Sequence, residues 1–345
     1  GASSEGPMPS IGPARGADSS VHWAPHLRGV AASSAGRSPR RPFGARPSPC
    51  PAVSSLQPMT RRLCARLETL DAHQFGEPGT GAVYLLRGER TALVDSGTAR
   101  SAPRLSAALR GVRLDWILIT HAHLDHAGGA GLLATDHPEA TVVAHPRAIP
   151  HLADPTQLEA GVRAASPDLF PYYGRPTAVP ESRLRACADG ETLDLGRGVA
   201  LDAVYSPGHA SHHVCWFERE GRVLFAGDAV GHHAVPVILR LTVPPGFVLE
   251  LGLGTRAVLR CLEPRTIAFA LFGVADRAAD RLAEYATALE RWIGRVAALR
   301  SHMTDAEVVD CILSEPPYSA MSSVGRHVAR LCIAGALASL PIEAS

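Results

Sequence analysis

The chain has 345 residues, 46% of them hydrophobic, and a formal net charge of +1. That length can bury at least one full core, and the near-neutral balance excludes any global pull toward nucleic acid or an anionic membrane. The 34 Lys/Arg positions are all arginine and asparagine is absent, which alongside the abundant Ala, Gly and Pro points to a GC-rich coding sequence rather than a functional arginine surface. Residues 1–58 are rich in Ser, Pro, Gly, Ala and Arg without apolar periodicity, so the reading there is a disordered tail. Met59 precedes the first patterned stretch and is a candidate native start, with a transit peptide as the alternative.

From residue 60 onward, strand-like runs alternate with helical ones. "AVYLLRGERTALVDSG" (82–97) predicts two strands about a turn at Gly88, and "SAPRLSAALRG" a short helix ending at Gly111. "DWILIT" (115–120) is a continuous apolar run, hence a buried strand; "GGAGLLATD" opens a helix and "ATVVAH" is a further strand. Residues 154–187, rich in proline and aromatics without clear period, read as an excursion over the surface. Four strand-like runs follow, "ETLDL", "VALDAVYS", "HHVCWFER" and "RVLFAGD", then a helix near 247–262 and a buried strand "TIAFALFG". Beyond 276 the pattern turns helical: Leu282, Tyr285, Leu289, Trp292, Ile293 and Val296 make one apolar face. Thr304 and Glu307 have capping-box spacing, and a last helix covers roughly 321–339. The chain therefore divides into 1–58, a folded domain over 59–275 and a helical extension over 276–345.

The seven cysteines are scattered, odd in number and lack any C-x-x-C, as expected of free thiols in a reducing compartment. No run reaches the ~20 apolar residues of a membrane span, and the first 58 residues lack the apolar core of a secretory signal. The expectation is a cytoplasmic protein with a small-molecule substrate, no membrane or nucleic-acid partner, and an oligomeric state on which the sequence is silent.

The chemistry concentrates in "HAHLDH" at 121–126, directly after the buried "DWILIT" strand. His121 and His123 sit two apart, so on extended backbone both imidazoles point the same way. Asp125 and His126 follow where the strand breaks into a loop. Imidazole nitrogen and carboxylate oxygen are what zinc takes in the absence of thiolate, and a strand end holds such donors rigidly while the loop leaves room for substrate.

"THAHLDH" resembles the metal-binding signature of the metallo-β-lactamase superfamily, and the remaining motifs keep that family's order: "ALVDSG" with Asp95, "SPGHASHH" with His209, and "LFAGDAV" with Asp228. The resemblance covers about 64–275 and implies an α/β fold, a four-layer αββα sandwich, here with a C-terminal helical extension. It implies one metal on His121, His123 and His209, and a second on Asp125, His126 and a last histidine, with Asp228 and a hydroxide bridging them. Asp95 is implied to lie beneath the site. In place of that last histidine stands Leu271, in "LFG", so the second ion keeps Asp125, His126 and Asp228. His232 and His233 are candidate substitutes, solvent-facing loop histidines being the alternative. Of His212 and His213, one is expected to orient a ligand.

The resemblance implies Zn2+, two ions with the second weakened, and a metal-bound hydroxide as nucleophile, with Asp125 orienting it. The leading expectation is a hydrolase of a thioester, ester or lactone, similar to the glyoxalase-II-like branch. Tyr172 and Tyr173, with the C-terminal helices, would form the substrate wall, or be packing residues. Two alternatives stay open: an oxidoreductase resembling the single-iron persulfide dioxygenases, with Fe2+ in the first site, and a non-catalytic metal-binding descendant. The interval from Asp228 to Leu271 is too short for the inserted domain of the nucleic-acid-processing branch.

Overall fold

The structure is a computed structural model that describes residues 60–62, 66–234, 237–239, 242–243 and 246–341. The readings of 1–58 as a disordered tail and of Met59 as a start lie outside the described residues, as does the side chain of His233.

One mixed sheet carries β1 (Thr60–Arg62), β2 (Leu67–Asp71), β3 (Ala82–Arg87), β4 (Thr91–Val94), β5 (Trp116–Leu118), β6 (Thr141–Ala144) and β7 (Leu184–Ala186), in sequential order. Its first four strands meander antiparallel, and β4 to β7 run parallel. The parallel part is joined through α1 (Ala102–Ala108), α2 (Leu124–Ala127), α3 (Ala130–Asp136), α4 (Ile149–Ala153), α5 (Thr156–Ala165) and α6 (Phe170–Tyr173). The second sheet is built from β8 (Thr192–Gly196), β9 (Val199–Tyr205), β10 (Val214–Glu218) and β11 (Val223–Gly227). A short hairpin, β12 (His232–Ala234) and β13 (Val237–Leu239), precedes α7 (Leu249–Cys261). Then β14 (Thr266–Phe269) enters beside β11 in parallel and β15 (Val274–Asp276) closes the edge, giving the order β15-β14-β11-β10-β9-β8. Three helices end the chain: α8 (Ala278–Arg300), α9 (Asp305–Ser314) and α10 (Ser323–Ser339).

Period-two alternation makes this a four-layer αββα sandwich. In β5, Ile117 faces the helices and Leu118 the other sheet; in β10, Trp216 faces inward while Cys215 and Phe217 face outward. The middle layer joins Tyr84, Val94 and Leu118 to Trp216, Phe225 and Ala268. Outside one sheet pack Leu105 and Leu133; outside the other pack Leu259, Leu289, Trp292 and Ile333, so α8–α10 share a core with the second sheet.

Several elements depart from the sequence expectation. Residues 154–187 hold α5 and α6 rather than an irregular excursion, and residues 124–127 form a helical turn rather than a loop. The predicted strand "TIAFALFG" stops at Phe269, because a turn at Phe272 and Gly273, both at positive φ, folds it back into β15. That turn is tied to the first sheet. The Ala82 N–H donates to Ala270 O at 2.7 Å, and the Tyr84 hydroxyl donates to Phe269 O at 2.7 Å and lies 2.9 Å from Gly273 O.

Candidate metal centre

Four loops at the strand ends converge. The segment after β5 brings His121, His123, Asp125 and His126; the loop after β9 brings His209; the turn after β11 brings Asp228; the turn after β14 brings Leu271. The chain passes closely there. Gly227 has φ of 48°, and a Cβ on it would meet His213 Nε2 at 2.6 Å and the Thr120 side chain at 2.9 Å, so only glycine lets β11 deliver Asp228 against the β5 segment.

His121 Nε2 and His209 Nε2 each lie 3.0 Å from His123 Nδ1. Asp228 Oδ2 stands 3.5 Å from His209 Nε2 and 4.0 Å from His121 Nε2. A tetrahedral ion at zinc–nitrogen distances of about 2.0–2.1 Å sets its nitrogens about 3.3 Å apart, so this nitrogen set is close to what one ion needs. A second group joins it. His126 Nε2 faces Asp228 Oδ1 at 3.3 Å and Asp125 Oδ2 at 3.5 Å.

The buried His126 Nε2 and Asp228 Oδ1 have no hydrogen-bond partner. The other nitrogen, Nδ1, lies 2.9 Å from Asp95 Oδ2 and donates to it. Neutral His126 therefore turns a lone pair toward two carboxylates, an arrangement that asks for a cation: a proton on Nε2, or a metal ion. Burial works to lower the pKa of His126, but Asp228, Asp125 and Asp95 outweigh it and raise it well above the usual value. For Asp125 and Asp228 burial pushes upward, yet the charge of His126 dominates and holds both below the ordinary carboxylate range. Burial, with the neighbouring imidazoles, drives His121 well below its usual value and His123 down to about 3. Both rings are neutral at pH 7, as a metal ligand must be. The residues present fit a divalent cation.

Asp95 lies beneath, held at φ 61°. It accepts from the Thr120 N–H at 2.8 Å and the Thr120 hydroxyl at 2.9 Å as well as from His126. Of the paired histidines, His213 accepts from the Asp228 N–H at 3.1 Å and lies 2.7 Å from Ser206 Oγ, whereas His212 accepts from the Ala122 N–H at 3.3 Å. The mutually close donor atoms form two groups, His121–His123–His209 and His121–His126–Asp228; neither Asp125 nor His232 is in either. Sequence reasoning missed Gln74, which is buried and donates through Nε2 to Asp125 Oδ2 at 3.1 Å. It comes from the loop after β2, and no motif marks it.

A cavity of about 350 Å³ opens onto the cluster, with His123, Asp125, His209 and Asp228 on one side. Tyr173 lines it, but Tyr172 does not. Leu271 is also in its wall, packed on Cys332, Val243 and Val328.

A family model described as the metallo-beta-lactamase superfamily matches residues 76–295. A metallo-beta-lactamase fold-containing protein of Sulfurisphaera tokodaii is 26% identical over 218 residues, 61% of this chain and 80% of that one. The atrochrysone carboxyl ACP thioesterase of Aspergillus fumigatus is 29% identical over 159 residues, 45% of this chain and 41% of its own length. An archaeal metallo-beta-lactamase superfamily protein from Sulfolobus tokodaii shares the fold at a TM-score of 0.62 and 21% identity, covering 79% of this chain and 99% of that one. A metallo-beta-lactamase family protein from Thermus thermophilus does so at 0.59 and 22%, covering 80% and 93%.

Proposed function

The chain belongs to the metallo-beta-lactamase superfamily, and on that premise we propose that it is a metal-dependent hydrolase of an ester-like bond, a thioester foremost. The observation that carries this reading is the convergence of the His121, His123 and His209 nitrogens, with Asp228 3.5 Å from His209 Nε2, beside a cavity large enough for an organic substrate. The thioesterase among its relatives supports the bond class; the match spans under half of that enzyme, so the activity is a proposal for this chain.

His121, His123 and His209 with Asp228 would hold one ion, and His126, Asp125 and Asp228 a second. A divalent ion supplies Lewis acidity toward a carbonyl oxygen and makes water acidic enough to attack near neutral pH. Asp125, steadied by Gln74, directs its carboxylate into the cavity, where it orients the attacking water and accepts its hydrogen bond. Asp95 fixes the His126 tautomer, and His213 fixes the Asp228 backbone. Leu271 adds no donor, so the second ion rests on three residues and is the weaker of the two.

The test is elemental analysis of the full chain purified without chelators, followed by an ester and thioester panel. Zinc is expected, with hydrolysis lost on chelation and restored by zinc, and Leu271→His is expected to raise the second ion's occupancy. A single iron with oxygen-dependent sulfur oxidation would replace this reading with the oxidoreductase one. Absence of both metal and hydrolysis would leave a binding protein.

A further inference from the structure

We infer that the cavity beside the cluster receives an uncharged, apolar acyl group on the order of ten carbons, with α5 and α10 as its walls; this rests on the hydrolase reading above. Besides the donor residues, the cavity is lined by Leu158 and Val162 of α5, Val328 and Leu331 of α10, and Leu271. An apolar cavity of about 150 Å³ holds a benzene ring, so about 350 Å³, less the space around the reacting carbonyl, sets the size.

The lining disfavours an anionic acyl group. Although the chain is rich in arginine, none of the described residues lining the cavity is one. Away from the metal-binding residues, a terminal carboxylate or phosphate would leave water with no arginine beside it and with His151, Gln157 and Ser166 as polar neighbours. The segment after α5 ties this part of the fold to α10: Leu169 and the α6 residues Phe170 and Tyr173 pack with Val324, Val328 and Leu331, and His327 Nε2 meets Asp168 Oδ2 at 2.8 Å. Leu271 completes the same apolar surface: held in its turn by the hydrogen bonds from Ala82 and Tyr84, it presents an isobutyl group to the acyl chain.

The experiment runs neutral p-nitrophenyl esters and matched thioesters from acetyl to dodecanoyl on the zinc-loaded full chain, with the adipoyl monoester as the anionic probe. The kcat/KM is expected to rise about fourfold per methylene up to the size limit, and the adipoyl ester to fall about 100-fold below its neutral counterpart of equal length. Leu331→Arg and Val162→Arg, one from each wall, should each lower the decanoyl-to-acetyl ratio of kcat/KM by about tenfold or more. Independently of turnover, calorimetry with decanamide should show binding to the wild-type chain and its loss in Leu331→Arg. A flat chain-length profile, or preference for the anionic ester, overturns the acyl assignment while leaving a hydrolase. Decanamide binding without hydrolysis of any ester keeps the cavity assignment and removes the hydrolase reading. Failure to bind decanamide overturns the inference.

Discussion

At the scale of single residues, Asp95 organises more of the site than any proposed ligand does. Its two oxygens take the Thr120 N–H, the Thr120 hydroxyl and His126 Nδ1, so one carboxylate sets both the strand end carrying His121 and the tautomer of His126. Because the residue sits at φ 61°, asparagine is the cleanest substitute: it tolerates the left-handed region and keeps the shape. Asp95→Asn is expected to weaken metal binding about 10- to 100-fold with little change in folding stability. Competition titration against a chromophoric chelator, beside a thermal melt, checks it; unchanged affinity would reduce Asp95 to a scaffold residue. The four ligand-type residues of the first histidine motif were legible because they crowd into six consecutive positions after a strand. Gln74 was not, since a lone glutamine acquires meaning only through the carboxylate that it reaches across space.

At the scale of elements, legibility follows the density of the apolar pattern. α8 was readable because its buried stripe recurs through the whole helix, and α9 because Thr304 and Glu307 form the capping box their spacing announced. α5 was missed for a physical reason: none of its residues is buried, and its sparse apolar side chains, Leu158 and Val162, are only partly buried, packing at the edge of a core while lining the cavity. A helix that borders empty space needs no dense stripe. Strands of three residues, such as β12 and β15, are too short to display any period. For α9 the expectation is quantitative. Thr304→Ala should cost about 1 kcal/mol, read as a shift in the urea midpoint at constant slope. The hydrogen bonds from Thr304 hold the Glu307 carboxyl below its usual 4.5. Its contribution is thus complete above the ordinary carboxyl range and fades as the pH falls through the lower folded value. The gap between mutant and wild type should therefore narrow in acid to what the Glu307 N–H to Thr304 hydroxyl bond contributes, and a constant gap would argue against the box.

At the scale of the whole molecule, the extension and the sandwich share one core. Leu282, Leu289, Trp292, Ile312 and Ile333 pack in the same cluster as Phe217, Leu224 and Ile267 of the second sheet. Unfolding is accordingly expected to be concerted, with tryptophan fluorescence and far-UV circular dichroism following the same urea curve. Phe225→Ala, which empties a place between the sheets where the ring meets Tyr84 at a centroid distance of 5.3 Å, should cost about 3–5 kcal/mol and move both probes together. Separate transitions would show the helices to be an independent unit. No described helix is long and apolar enough to cross a membrane. What the sequence determined by itself was the order of motifs, the alternation that makes two sheets with helices outside, and the crowding of imidazoles and a carboxylate into one motif, because these are properties of neighbouring positions. The tertiary structure alone decided which distant groups meet: Gln74 against Asp125, His213 beneath Asp228, α6 against α10, and Leu271 in the wall of the cavity. Such encounters depend on strand register and on turns at positive φ, which place residues far apart in the chain within hydrogen-bond reach and leave no periodic trace along it.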